Sequence, residues 1–177
     1  LTLLLLHFDG NGFASQVPPP VGNTTPPPAS SSMDATEWAI RFLEDRVQRD
    51  PLDFIAFNKL ATYYLQRLRE TGRLQYLDLA SKSARASLAA MPTGQNTGGL
   101  TALAQVEYAL HHFAEAIQLA RQASQGDPRN TSAFFIAGDA HLELGQHAEA
   151  EKIYRALEHS NPSPEVTVRL ARLAELR

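Results

Sequence analysis

The chain has 177 residues, which suits one folded unit with a sizeable core and is too short for two large domains. Its 16 basic and 19 acidic residues give a formal net charge of -3, so the chain has no charge excess that would draw it to nucleic acid or to anionic lipid. It contains no cysteine, which excludes a disulfide framework, a thiol nucleophile and a thiolate metal site.

Residues 1–15 form an apolar segment that begins with Leu rather than Met. Its apolar run is shorter than the about 20 residues that a membrane-spanning helix needs. One interpretation is the remnant of a secretory signal peptide that lacks its basic front. A second is a mature assembly strand that docks on a neighbouring subunit, and a third is that translation starts at Met33. In the second interpretation the docking side chains are Leu3, Leu4, Leu5, Leu6 and Phe8.

Residues 16–33 form a linker rich in Pro, Ser and Thr, which is expected to be an extended tether because it has little apolar surface to bury. Asn23, Thr24 and Thr25 form a possible glycosylation site, which matters only in an exported protein. We therefore expect export to the cell envelope or beyond, or a cytoplasmic location if Met33 is the true start.

The rest of the chain, residues 34–177, contains an internal repeat of 34 residues. A shift of 34 places residues 114–116, which read Ala-Glu-Ala, on the same three letters at 148–150, and places Pro128 on Pro162. In each copy an apolar helical pattern breaks at a short turn, resumes and stops at the proline. The unit is therefore predicted to be two antiparallel helices joined by a tight turn.

The same spacing extends toward the amino terminus, because an alanine lies 12 residues before each closing proline in four units. It predicts an all-α body with a flanking helix over 34–49, helix pairs over 53–92, 97–128 and 131–162, and a C-terminal helix over 164–177. The pair over 53–92 is longer than the others, by about two helical turns.

The two flanking helices are expected to close the ends of the stack. In the first, Trp38, Ile40, Phe42, Leu43 and Val47 are the apolar side chains available to cover the first repeat. The last has a polar and an apolar side, which is typical of a solvating cap, although the same pattern fits the opening helix of a further repeat.

This pattern resembles the tetratricopeptide repeat family. The residues that carry the resemblance best are Phe134, Gly138, Gly145, Ala150, Tyr154 and Pro162. The resemblance implies a right-handed solenoid whose first helices line a concave groove that binds protein partners. Carried over position by position, the groove residues are Asn58, Thr62, Leu65, Thr101, Gln105, Tyr108, Phe135, Asp139 and Leu142.

No pattern in the sequence predicts catalysis, a metal site or a cofactor. Among the six histidines, the neighbouring pair His111 and His112 and the more distant His141 and His147 lack the spacing of three or four with which a helix presents two ligands to one ion. The sequence also lacks a nucleophile motif and a phosphate-binding glycine loop followed by lysine.

The sequence therefore favours a non-enzymatic scaffold that binds a peptide or helix of a partner protein in the groove. The alternative is a structural subunit of an extracellular or envelope filament that assembles through residues 1–15.

Overall fold

The structure is a computed structural model and describes residues 34–176. Over this range the chain is all-α, with eight helices, a 3-10 turn at Thr93–Gln95 and no strand, which confirms the predicted fold class. The helices are α1 (Ala35–Arg49), α2 (Phe54–Thr71), α3 (Gln75–Ala90), α4 (Thr97–Ala109), α5 (Phe113–Gly126), α6 (Thr131–Glu143), α7 (His147–Ser160) and α8 (Pro164–Glu175).

The helices form three pairs, α2 with α3, α4 with α5 and α6 with α7, while α1 packs on α2 and α8 packs on α7. The first helices of successive pairs pack directly on one another, α2 on α4 and α4 on α6. The second helices α3, α5 and α7 have much less mutual contact. The stack therefore curves, with its first helices on the inner side, as expected of a right-handed solenoid of helix pairs.

The turn inside each pair uses one residue in the left-handed backbone region. Gly72 and Gly145 adopt φ of 68° and 70°, and His111, at the position 34 residues before Gly145, adopts φ of 62°. Such a residue ends a helix by turning the chain sharply. The second and third turns are alike, with the left-handed residue one position after the helix cap, whereas in the first turn Gly72 is itself the cap of α2.

Small residues sit where the paired helices cross. Ala61, Ala104 and Gly138 in the first helices are buried, and so are Ala80, Ala116 and Ala150 in the second helices. A Cβ added to Gly138 would lie 2.4 Å from Cε1 of Tyr154, which is closer than two carbon atoms can pack. Small buried residues are thus present in both helices of all three pairs.

The extra residues of the first pair lengthen α2, which has 18 residues where α4 and α6 have 13. The added turns contact the start of α1. Glu70 accepts a hydrogen bond from the Thr36 hydroxyl at 3.2 Å, and Arg67 pairs with Asp34 at 2.7 Å. The extension therefore holds the flanking helix in place.

The face that α1 presents to the stack is narrower than the sequence predicts. Ile40 and Leu43 are buried and Val47 packs beside them. Trp38 and Phe42 were expected to cover the first repeat, but this expectation is wrong: they are 58% and 50% exposed and stack on each other with ring centroids 5.5 Å apart. The i and i+4 spacing places both rings on the outer side of α1.

At the other end, α8 buries Val166 and Leu173, and Leu173 belongs to a cluster with Leu142, Ala150 and Tyr154. Pro164 stands in its first turn, where a missing amide hydrogen costs nothing. The helix thus covers the apolar side of α7 and the end of α6.

The docking side chains predicted at Leu3, Leu4, Leu5, Leu6 and Phe8, and the possible glycosylation site at Asn23, Thr24 and Thr25, lie outside the described residues. Between residues 34 and 176, no helix has both the length and the apolar character that crossing a bilayer requires.

Candidate partner-binding groove

A pocket of about 590 Å³ lies on the inner side of the solenoid between α2 and α4, and it reaches the start of α6. Four of the predicted groove residues line it, namely Asn58, Thr62, Thr101 and Gln105. The remaining lining residues are Lys59, Tyr63, Gln66, Gly98, Ala102, Asn130 and Ser132.

Asn58 is fixed by a buried network of polar side chains. Its Nδ2 donates to Asn96 Oδ1 at 3.0 Å, and its Oδ1 accepts from the Ser87 hydroxyl at 2.5 Å. Asn96 in turn donates to the Ser87 hydroxyl at 2.8 Å. Because Ser87 and Asn96 are almost fully buried, leaving any member unpaired would be costly. This network ties α2, α3 and the start of α4 into one floor.

The glycine-rich stretch before α4 is part of this floor. Residues 94–99 have the composition of a flexible connector, yet Asn96 caps α4 by accepting from the Gly99 amide at 2.7 Å, and the residues after Asn96 are helical. A Cβ on Gly99 would lie 2.6 Å from Asn96 Nδ2, and one on Gly98 would lie 2.9 Å from Asn58 Nδ2. The glycines therefore allow α4 to approach the asparagines of the network.

The second and third helix pairs are also joined through an asparagine that caps a helix. Asn130 caps α6 by accepting from the Ala133 amide at 3.2 Å and donates from its side chain to the Thr101 hydroxyl at 2.8 Å. The Thr62 hydroxyl donates to the carbonyl of Asn58. Asn58, Thr62 and Thr101 thus have their hydrogen-bonding groups occupied within the protein and shape the groove.

Four other groups in the groove have no hydrogen-bonding or ionic partner within residues 34–176, one of which is the Ser132 hydroxyl at the start of α6. The other three are the Lys59 ammonium, the Tyr63 hydroxyl and the Gln105 side-chain amide. Lys59 is exposed, while Tyr63 and Gln105 are half-buried. The position-by-position comparison of repeats predicted Gln105 but missed Lys59 and Tyr63, which follow groove positions on α2 by one residue.

Two predicted groove residues do not line the groove. Leu65 and Leu142 are only 2% and 6% exposed and lie in two separate core clusters. Their prediction as groove residues is wrong because each is an apolar side chain that packs into a cluster with neighbouring helices. Burying a leucine side chain stabilises the folded state by about 1.5–3 kcal/mol relative to leaving it exposed. These two side chains therefore lie in the core and not on the surface of the groove.

The α6 end of the predicted groove is occupied by Arg169 of α8. Its guanidinium makes a two-pronged pair with Asp139, at 2.7 Å from Nε and 2.8 Å from a terminal nitrogen, and lies 4.3 Å from the ring centroid of Phe135. Tyr154 also donates to Asp139, at 2.6 Å. Phe135 and Asp139 are therefore engaged with α8 and α7, and the open part of the groove lies over α2 and α4.

These contacts perturb the titrating groups around Asp139. Burial, followed by the hydrogen bond to Asp139, raises the pKa of Tyr154, and the hydrogen bond to Asp139 raises the pKa of Arg169. The phenol thus stays protonated and the guanidinium stays charged at any physiological pH.

Tyr108, the remaining predicted groove residue, is half-buried on α4. Its ring packs edge-on against Phe113 with centroids 5.5 Å apart, and its hydroxyl lies 3.5 Å from a Glu143 carboxylate oxygen. Burial raises the pKa of Tyr108. Tyr108 is thus engaged with α5 and α6 and does not line the open pocket.

Glu107, His112 and Glu115 form a cluster whose possible ligand atoms lie within 4.8 Å of one another. Glu107 is buried and is held by Arg85 at 2.9 Å and by His112 Nδ1 at 2.9 Å. The equivalent turn of the next repeat pairs His141 with Gln146 in the same way. The cluster thus has a structural reason for its arrangement, because it belongs to the turn that each repeat makes.

Comparison with known proteins supports the resemblance carried by the sequence. Residues 101–164 match the model of the tetratricopeptide repeat family. No curated protein matches the chain in sequence.

Solved structures with the same fold include a thermophilic tetratricopeptide repeat protein from Thermus thermophilus, with 21% identity, a TM-score of 0.66 and coverage of 78% of this chain and 72% of that one. The pilF protein of Pseudomonas aeruginosa has 24% identity and a TM-score of 0.65, with 78% of this chain aligned to 60% of that one. The Arabidopsis OM64 domain has 18% identity and a TM-score of 0.54, with 68% and 99% covered. At these identities the likeness concerns the fold.

Proposed function

Because the chain belongs to the tetratricopeptide repeat proteins, we propose that it is a non-enzymatic scaffold that binds a peptide or helix of a partner protein in the open part of its groove. The partner would lie across α2 and α4 and reach the start of α6. The fold is that of protein interaction scaffolds in general.

The observation that carries this proposal is the difference between two sets of groove side chains. Asn58, Thr62 and Thr101 are held by internal hydrogen bonds, whereas Lys59, Tyr63 and Gln105 have no partner within residues 34–176 and lie at the surface of the same pocket. A rigid floor with free polar groups loses little conformational entropy when a ligand binds.

The free groups also suit a polypeptide ligand. A glutamine side chain offers one acceptor and two donors, which match the carbonyl and amide of a peptide bond. The Tyr63 ring supplies flat apolar area that loses few rotamers, and aromatic side chains are common at the centre of protein interfaces. Lys59 adds one positive charge for a carboxylate of the partner.

Site-specific photocrosslinking in the native cells tests the proposal. A photoreactive amino acid is introduced at Thr62 or at Gln105, and the products are identified by mass spectrometry. We expect both groove positions to label the same partner segment, because they line one pocket.

Lys82 is the matched control position, since it is exposed on α3 and has no acidic partner among the described residues. Labelling of the same protein from Lys82, or capture that persists in a Lys59→Glu and Gln105→Ala double variant, would contradict binding in the groove.

A second proposal is that residues 1–15 dock on a neighbouring copy and build a filament in the cell envelope or outside the cell. What supports it is the sequence, where the apolar run from Leu3 to Phe8 is followed by a proline-rich linker. Exposed apolar runs of this kind favour association. Chains that assemble equally with or without residues 1–32, as judged by light scattering, would contradict this proposal and leave the scaffold intact.

A further inference from the structure

A second surface, away from the groove, has the properties of a binding site. Two cavities of about 410 and 270 Å³ lie side by side along α6 and share Phe134 and Ala156. The smaller cavity lies between α5 and α7, and the larger lies between the start of α6 and the end of α7. We call this surface the outer trough. It exists because α5 and α7 each pack on α6 with little contact between themselves.

The floor of the outer trough is apolar. Phe134 and Ile153 are half-buried at its centre, with Ala137 and Ile117 more deeply buried beside them and Ala156 exposed at its edge. Phe134 turns its ring to this side of α6, while the next residue, Phe135, lies under Arg169 on the groove side. A half-exposed aromatic ring between two helices is a ready anchor point for an apolar side chain.

The rim of the outer trough is basic. Six Lys and Arg residues lie between residues 100 and 176, and three of them, Arg155, Arg169 and Arg172, are paired with acidic side chains. The other three have no acidic partner within 4 Å in that part of the chain, and all three line the outer trough. These are Arg121 on α5, Arg129 before α6 and Lys152 on α7.

One acidic residue lines the same surface, Glu149, at the end where His141 lies. His141 is already engaged with Gln146. The balance of three free cations against one carboxylate therefore leaves the outer trough positive on a chain whose net charge is -3. Unpaired cations beside an apolar surface favour a ligand that combines carboxylates with apolar side chains.

We propose that the outer trough binds an acidic amphipathic segment of a partner protein, with one or two large apolar side chains over Phe134 and Ile153 and carboxylates facing Arg121, Arg129 and Lys152. This site is independent of the groove, so that the solenoid can hold two protein segments at once. Arginine suits the role because its planar guanidinium pairs with a carboxylate through two hydrogen bonds.

The test uses a synthetic helical peptide of about 14 residues, with Leu or Phe repeated at i, i+3, i+4 and i+7 and Glu at the remaining positions. Its twin has Lys in place of every Glu. Binding is followed by fluorescence anisotropy, and the contact surface is mapped by backbone amide chemical shifts of the full chain. We expect the acidic peptide to bind, its affinity to fall with added salt, and the amide signals of Ile153 and Ala156 to shift.

Arg121→Glu with Lys152→Glu should weaken the acidic peptide roughly tenfold or more, because two attractive charges become repulsive. The matched control is Lys82→Glu, which replaces an exposed lysine outside both surfaces and should leave the affinity unchanged. Lys59→Glu in the groove should also leave it unchanged, so this site and the groove are judged separately.

Three results would overturn the outer site: equal affinity of the acidic peptide and its lysine twin, full affinity in the Arg121→Glu and Lys152→Glu variant, or amide shifts confined to α2 and α4. A circular dichroism melt of each variant establishes that the charge reversals leave the fold intact.

Discussion

The absence of a side chain at Gly138 allows α6 and α7 to pack closely. The Tyr154 ring lies where a side chain at 138 would stand, and the ring cannot move aside easily because its hydroxyl is held by Asp139 at 2.6 Å. In the sequence, Gly138 is one of the residues that carry the resemblance to the repeat family. The sequence did not reveal that Tyr154 fills the space.

Gly138→Ala is therefore expected to lower the free energy of unfolding. In an open helix the change would gain about 1 kcal/mol from helix propensity, but overpacking costs about 1–3 kcal/mol, and the contact at 2.4 Å leaves no room for relief. Urea unfolding measures the difference. Gly94→Ala is the control, since nothing lies within 4 Å of a Cβ at that position, and equal stability of both variants with the parent would contradict the account.

The ionisation of Asp53 makes the stability of the first repeat depend on pH. The hydrogen bond from the Ala56 amide, and then the ion pair with Arg46, hold the pKa of Asp53 below its usual value. The stability that this carboxylate contributes is thus complete above the usual Asp pKa of about 3.9 and is lost as the pH falls through the lower folded-state pKa.

Asp53→Asn keeps a good helix cap but removes the titration. We expect the thermal unfolding temperature of this variant to fall less steeply below about pH 4 than that of the parent. Part of the slope will remain, because the pKa values of Asp34 and Glu70 are also lowered. Parallel profiles for the two proteins over this range would show that Asp53 is not responsible.

At the scale of the helix, α8 decides how much of the groove is open. Arg169 pairs with Asp139 and covers Phe135, and both partners of the pair are only about a quarter exposed, at 27% and 24%. The sequence suggested that α8 caps the stack or opens a further repeat, but nothing in the spacing of one repeat indicates that a side chain from α8 will reach back to α6. Such a contact depends on how the elements pack.

Arg169→Ala should destabilise the solenoid by about 1–2 kcal/mol, because it leaves the half-buried Asp139 with Tyr154 as its remaining partner. Arg172→Ala is the matched control on the same helix. Its pair with Glu143 spans 3.4 Å and Arg172 is more exposed, so a loss within about 0.5 kcal/mol is expected. Chemical denaturation of both variants would contradict the role of Arg169 if their losses were equal.

The first helix pair shows both the strength and the limit of sequence reasoning about elements. The extra residues between Phe57 and Ala80 correctly indicated a longer unit, since they interrupt the 34-residue spacing. The structural role of the extra residues is to contact Asp34 and Thr36, which lie more than 30 positions earlier in the chain. Contacts at that separation leave no periodic signal.

For the whole molecule, the all-α stack follows from the sequence because the second and third helix pairs share the same apolar spacing and every pair ends at a closing proline. The set of residues that line the open groove follows from the sequence only in part. Asn58, Thr62, Thr101 and Gln105 line the pocket over α2 and α4, while Leu65 and Leu142 are in the core. The exposed face of a first helix depends on how tightly its neighbours pack, which repeat spacing does not specify.

The central claim is that free side chains over α2 and α4 recognise a protein segment. Isothermal titration with the segment identified by photocrosslinking tests it most directly, using the full chain, the Lys59→Glu and Gln105→Ala groove variants and the Lys82→Glu control. We predict that each groove variant weakens binding roughly tenfold and that the control binds as the parent does. Unchanged affinity in both groove variants would contradict the claim.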